Sequence, residues 1–254
     1  LVAVYEDQDP FAQNLIDNFT QQFVADGHDN PPRVTYQRLS TPAQMAEILK
    51  KALQMGPEAI LLAGSRSTDT GNFLAAIPDS SNVKVLTDAS IYPIADAPPG
   101  KFGHTSRLVF VSPGFPDEWN IIPSSIKAPS FFNEYKDKFD PYNQHKGVPY
   151  GYQRPDASAM QAYDAVLALV KGIRLARTTH QNVISGDDLQ QALQQIKGSQ
   201  AVQGVTGQIS FGTDGDPVNK EIVVLQAEEH GLQLRYYQGC FQVGDRDCGG
   251  HFVE

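Results

Sequence analysis

Asp7 and Asp9 follow the first apolar run of the chain as an Asp-x-Asp pair, a spacing that could hold a metal ion or present a carboxylate nucleophile. Asp9 also stands directly before Pro10 at the head of a helical pattern. An aspartate there caps the helix by accepting from unpaired backbone N–H groups, and proline suits the first helical position. Capping accounts for the residue without any chemistry. Gly64-Ser-Arg-Ser-Thr68 is rich in donors suited to a carboxylate or phosphate, yet it lacks the G-x-x-x-x-G-K-[ST] spacing, which excludes a P-loop. Asp88, just after a strand-like run, either pairs with a ligand ammonium or turns the backbone.

Other chemistry finds little support. His28, His104, His145, His180, His230 and His251 show no H-x-x-H or H-E-x-x-H spacing, so no zinc site is expected. There is no G-x-S-x-G elbow, and no cysteine–histidine arrangement suited to nucleophilic catalysis is expected. Asp214-Gly-Asp216 lacks the rest of a calcium loop and reads as a turn. Tyr150, Tyr152 and Tyr163 suit stacking on a ligand or simple packing. No cofactor and no catalytic residue is expected. Cys240 and Cys248 can close a short disulfide loop or stay as two thiols; a disulfide needs an oxidising compartment and would stabilise by about 2 kcal/mol.

The residues that would position these groups form an alternating pattern. Apolar runs open at Val2, Val34, Ala59, Val83 and Leu108. Between them, Phe11, Leu15, Ile16, Phe19 and Phe23 recur at helical spacing, as do Met45, Ile48, Leu49, Ala52 and Leu53 behind a Thr41/Gln44 capping box. A short helix is expected over 72–77. Strands alternating with helices imply a parallel sheet with right-handed crossovers, so 1–113 reads as a flavodoxin-like α/β layer. In such a sheet ligands bind at the carboxyl ends of the strands, where the turns 6–11, 64–68 and 88–92 stand.

Beyond Pro113 the pattern changes. Helices are expected over 131–139, 158–176 and 187–197, the second turning Ala162, Val166, Leu169, Val170 and Ile173 inward and the third starting with a Ser185/Asp188 capping box. Residues 114–216 hold helices with almost no strands to cover. The runs 208–211 and 221–226 flank a dense turn cluster, read as a connector at 214–219 between two lobes.

Globular composition, with 41% hydrophobic and 19% charged residues among 254, permits one large domain or two small ones. A net charge of −9 argues against nucleic acid or an anionic membrane surface as partner. No apolar run reaches bilayer length. The chain opens at Leu1, already inside a strand pattern, which suggests processing or excision from something longer.

Val-Ala-Val-Tyr-Glu-Asp-Gln-Asp-Pro-Phe-Ala-Gln at 2–13 resembles the strand that opens the second lobe of type I periplasmic substrate-binding proteins, the branched-chain amino-acid binding proteins of ABC transporters in particular. Ala-Tyr-Asp-Ala-Val at 162–166 is similar to that family's late helix, and Gly-Val-Thr-Gly-Gln-Ile-Ser-Phe at 204–211 to its last crossing between lobes. The resemblance implies that 1–113 and 218–237 form lobe two, 114–217 the returning half of lobe one, and 238–254 a C-terminal tail. The first half of lobe one has no counterpart, so an N-terminally truncated chain or a completing partner chain is expected. The implied function is that of an exported, extracytoplasmic solute-binding protein or lipoprotein of an ABC importer, not an enzyme, that closes two lobes on an amino-acid-like ligand and serves a membrane permease. A sensor domain of a signalling receptor is the alternative, and an α/β enzyme using Asp7 or Asp9 a more distant one. Ligand contacts carried over are Phe11, Ser65, Arg66 and Asp88, with Tyr152 and Ser158. Phe11 stands where the family often has a tyrosine, which removes a hydroxyl contact.

Overall fold

The computed structural model describes residues 1–64, 66–92, 104–145, 150–179, 183–228 and 231–253. The chain divides into two compact units, one of 1–111 with 225–233, the other of 112–224 with 234–254.

Unit 1 is built from β1 (Val2–Glu6), α1 (Pro10–Ala25), β2 (Arg33–Tyr36), α2 (Pro42–Leu53), β3 (Ala59–Ala63), α3 (Ser67–Ala75), β4 (Lys84–Asp88) and most of β5 (Leu108–Ser112). β1 pairs in parallel with β2 on one side and β3 on the other, Val4 lying opposite Val34 and Leu62. β3–β4 and β4–β5 continue in parallel. The order β2-β1-β3-β4-β5 therefore reverses direction between β1 and β3. Val2, Ala3, Val4, Ile60, Leu62 and Ala63 are buried because a parallel sheet is covered on both faces. Ala3, Leu61 and Ala63 pack against Ala12 and Ile16 of α1, with Leu15 and Phe19 partly buried beside them.

Capping follows the sequence closely here. Phe11 N–H donates to Asp9 Oδ1 at 3.0 Å. Thr41 and Gln44 form a reciprocal capping box, Thr41 N–H to Gln44 Oε1 at 2.7 Å and Gln44 N–H to Thr41 Oγ1 at 3.3 Å. Three expectations need correction. The second strand, which the sequence extends over 34–39, stops at Tyr36, and Leu39 takes a positive φ of 61° in the turn that follows. The third helix starts at Ser67, five residues before the expected 72, and ends at Ala75. Phe11 is 55% exposed, so it does not share the buried face of α1.

Unit 2 contains α4 (Glu118–Ile121), α5 (Ser130–Phe139), α6 (Ala157–Thr179), α7 (Gly186–Leu193) and the antiparallel hairpin β6 (Val202–Gly204) and β7 (Gly207–Ile209). The chain passes between units within β8 (Ile222–Glu228) and again within β9 (Gly231–Gln238), which pairs antiparallel with β10 (Gly250–Phe252). Among the described residues one eight-stranded sheet runs β10-β9-β8-β5-β4-β3-β1-β2.

α6 corrects the sequence most sharply. Val166, Leu169, Val170 and Ile173, expected inward, are among the exposed large hydrophobics, and Ala162 is exposed as well. The inward face carries Met160, Asp164, Ala168, Gly172 and Ala176 instead. Small residues let neighbours approach: a Cβ on Gly172 would stand 2.9 Å from Leu193 Cδ2 of α7. Asp164 pins this face by accepting from Val205 N–H at 2.7 Å, Thr206 N–H at 3.1 Å and Thr206 Oγ1 at 2.5 Å, with Lys220 Nζ at 3.2 Å. These charged, buried hydrogen bonds hold the Asp164 face of α6 against the β6–β7 turn.

The turn cluster at 214–219 is also not the connector. Val218 N–H donates to Ser210 O at 2.8 Å and Gly212 N–H to Asp216 O at 2.8 Å, closing a local turn inside unit 2. The runs 208–211 and 221–226 do lie in different sheets, but the chain changes unit at 224–225, inside β8. Cys240 and Cys248 form a disulfide. They sit with the rest of 234–254 in unit 2, the stretch from 238 not standing apart as a tail.

Candidate functional site

In open α/β sheets ligands bind outside the carboxyl ends of the strands where the strand order reverses, here between β1 and β3. The chain delivers a group of polar side chains there. β1 ends on Glu6, β2 on Tyr36, β3 runs into Gly64, and β4 ends on Asp88. Asp9 heads α1, and Arg66 and Asp69 come from the first residues of α3.

Gly64 is where these elements meet. A Cβ there would overlap the Tyr36 hydroxyl and stand 3.6 Å from Glu6 Cβ. Tyr36 Oη donates to Ala63 O at 3.5 Å, and Ser90 Oγ donates to Gly64 O at 3.2 Å. Glu6 is buried, its Oε1 lying 3.7 Å from Nε of the exposed Arg38. Asp88 Oδ1 accepts from Ser90 N–H at 2.8 Å and turns the chain into a short 3-10 segment. Its Oδ2 is buried with no hydrogen-bond partner, as are Asp9 Oδ2, Asp69 Oδ2 and Thr87 Oγ1. Asp88 Oδ1 thus turns the backbone, while Oδ2 makes no hydrogen bond.

Electrostatics agree with that geometry. Burial raises the pKa of Tyr36, and Glu6, Asp69, Asp9 and Asp88 raise it further, which places all four carboxylates near the phenol. Burial pushes Asp69 up, against the opposing pull of Arg66 and of the Leu39 N–H. Asp88 is likewise raised, first by burial, with Ser90 pulling down and Asp9 pushing up. Unsolvated negative charge with few donors favours an incoming cation.

The candidate residues separate as follows. Phe11, Arg66 and Asp88 belong to unit 1, with Phe11 exposed on the first turn of α1 and Arg66 half-buried ahead of α3. Ser65 lies outside the described residues. Tyr152 and Ser158 belong to unit 2 and are exposed. Tyr152 stacks on His145, with ring centroids 3.9 Å apart and planes at 4°. The loop under that pair is anchored by Asp140. Burial alone would raise its pKa, but Gln153 and the N–H groups of Gln144 and His145 hold it down to about 2. Asp7 accepts from Gln37 at 3.2 Å through Oδ2, and no grouping of three metal-ligating side chains occurs among the described residues. Sequence reading missed Tyr36 and Asp69. Their signal was position, at a strand's carboxyl end and in a helix's first turn, not residue type.

A second concavity in unit 1 lies between α2 and α3, lined by Leu49, Lys50, Leu53, Ala76 and Pro78. It is apolar and away from the strand ends, and it offers no convergent polar groups to orient a ligand.

The mostly parallel sheet with its switch point between β1 and β3 is that of the type I periplasmic-binding-protein fold. Residues 1–229 match the model of the receptor family ligand binding region, and the chain belongs to that family. Solved structures show the same fold. A leucine-binding protein from Thermotoga maritima is 19% identical with a TM-score of 0.69 over 92% of this chain. A branched-chain amino-acid transporter substrate-binding protein from Streptococcus pneumoniae, in complex with isoleucine, is 19% identical over 91% with a TM-score of 0.61. A solute-binding protein of an ABC transporter from R. palustris, in complex with benzoate, is 14% identical over 100% with a TM-score of 0.64. This chain spans 59%, 58% and 59% of those proteins respectively. No curated protein sequence matches it.

Proposed function

We propose that the protein is an extracytoplasmic solute-binding component of an ABC importer, which holds a small amine-bearing ligand without transforming it and delivers it to a membrane permease. The observation that carries this reading is the unpartnered, buried Asp88 Oδ2 at the carboxyl end of β4 in a ligand-binding fold. An ammonium supplies three donors, and its charge-assisted bond to a desolvated carboxylate is stronger than a neutral one. Phe11 and Arg66 border the same strand ends of unit 1, and Ser65, Tyr152 and Ser158 are further ligand contacts within this proposal. The Cys240–Cys248 disulfide supports an oxidising, extracytoplasmic location. Among the described residues no helix is long and apolar enough to cross a membrane.

The exposed aliphatic face of α6 supports a covering layer over Val166, Leu169, Val170 and Ile173, provided by the same polypeptide or by a partner chain. The family's receptor members favour one second reading, a ligand-sensing domain of a signalling receptor. A thermal-shift panel of amino acids, sugars and aromatic acids tests the binding function. A specific ligand at a hundred times its Kd stabilises by about 2.7 kcal/mol through mass action. An unchanged Tm across the panel contradicts the proposal.

A further inference from the structure

The rim at the ends of β1, β3 and β4 carries more negative charge than one ammonium needs. Glu6, Asp9, Asp69 and Asp88 all act on Tyr36, while the cations opposing them among the described residues are Arg66, beside Asp69, and Arg38, beside Glu6. Four carboxylates thus reach this rim from different elements. The orphaned oxygens divide in the same way. Asp69 is 2% exposed and Asp88 9%, they come from different elements, and each keeps one buried carboxylate oxygen without a donor. Asp9 Oδ2, and the Thr87 hydroxyl at the end of β4, are further buried atoms without a hydrogen-bond partner. The carboxylate oxygens can only accept, whereas the Thr87 hydroxyl can donate or accept. A ligand that satisfies the rim must bring donors and positive charge to two places.

We propose that the rim takes a ligand bearing two separated cationic nitrogens, one on Asp88 and the other on Asp69. This rests on the reading of the chain as a solute-binding protein and names the chemical class of its solute. A diamine or a basic amino acid supplies both nitrogens. An aliphatic amino acid supplies one and leaves Asp69 bare, and an aromatic carboxylate meets repulsion from all four acids.

The test is isothermal titration of the chain with 1,4-diaminobutane, lysine, 1-aminobutane, leucine and benzoate at low salt. The diamine or lysine is expected to bind about tenfold or more tighter than 1-aminobutane and leucine, the second charged hydrogen bond supplying the difference. Asp69→Asn should remove most of the diamine's advantage over the monoamine, whereas Asp88→Asn should weaken both. Thermal unfolding of each variant shows whether it folds, and the diamine-to-monoamine ratio in the unmodified chain decides the matter without any variant. Lysine binding without the diamine would show that an amino-acid carboxylate is also read. Leucine or benzoate binding as tightly as the diamine and lysine overturns the two-nitrogen proposal and leaves the solute-binding function standing. Absence of binding by all five probes overturns the proposal too, and the broader thermal-shift panel then decides separately whether the chain binds solutes at all.

Discussion

Replacing Gly64 by alanine places a methyl group where the Tyr36 hydroxyl lies. Tyr36 is 3% exposed, so its ring cannot swing into solvent to make room. The bond from Tyr36 Oη to Ala63 O is long at 3.5 Å and contributes little, which makes steric overlap the dominant effect. Overpacking of this kind costs about 1–3 kcal/mol. Tyr36→Phe removes the overlapping atom; the next nearest ring atom, Cζ, then stands 3.1 Å from the new methyl, a contact that a small shift relieves. Alone, Tyr36→Phe should cost less than about 1 kcal/mol. The double variant should therefore be more stable than the sum of the single effects by about 1 kcal/mol or more, well above the ~0.5 kcal/mol scatter of independent sites. Urea denaturation of the four proteins, read as midpoint shifts at constant m-value, measures this coupling. Additive effects, or a Gly64→Ala variant as stable as the original, would show that the tyrosine does not sit on the end of β3 and would dissolve the rim's arrangement.

Further outcomes follow from other parts of the molecule. Glu118 and Glu221 are fully buried in unit 2, and burial raises both, Glu221 to about 8. A carboxyl whose folded pKa exceeds its unfolded value of about 4.3 keeps its full contribution below that value and loses it as pH rises toward the folded pKa. Stability should thus fall between about pH 5 and 8, at up to roughly 1.4 kcal/mol per pH unit per proton, and Glu221→Gln should flatten the slope in pH-dependent melts. Replacing both Cys240 and Cys248 by serine should cost about 2 kcal/mol, read by chemical denaturation under non-reducing conditions. Thr41→Ala should cost about 1 kcal/mol through loss of the capping box on α2.

Much of unit 1 was legible because local chemistry and tertiary packing agree there. Asp9 before Pro10, Thr41 three residues before Gln44 and the unbroken apolar run at β3 each have one sensible conformation, and each adopts it. Unit 2 was less so. On α6 the large aliphatics Val166 and Leu169 outscore Ala168 and Gly172 in any hydrophobic reading, yet close approach by α7 and the grip of Asp164 turn the small residues inward. The contacts that decide it join residues about forty apart in sequence, such as Asp164 and Thr206, and no local window contains them. The turn at 214–219 was recognised as a turn, but its strength as a turn says nothing about which unit holds it. In the candidate site, Asp88 and Arg66 were found from strand-end position. Tyr36 and Asp69 escaped because a tyrosine ending a strand and an acid in a helix's first turn are ordinary until the fold brings them beside Gly64.

The location of the site is tested most directly by a crystal structure of the chain grown with whichever amine-bearing compound gives the largest thermal shift. The account predicts density at the carboxyl ends of β1, β3 and β4, with a ligand nitrogen about 3 Å from Asp88 Oδ2. Density seated instead between α2 and α3, against Leu49 and Pro78, with the Asp88 carboxylate still unpartnered, would contradict it.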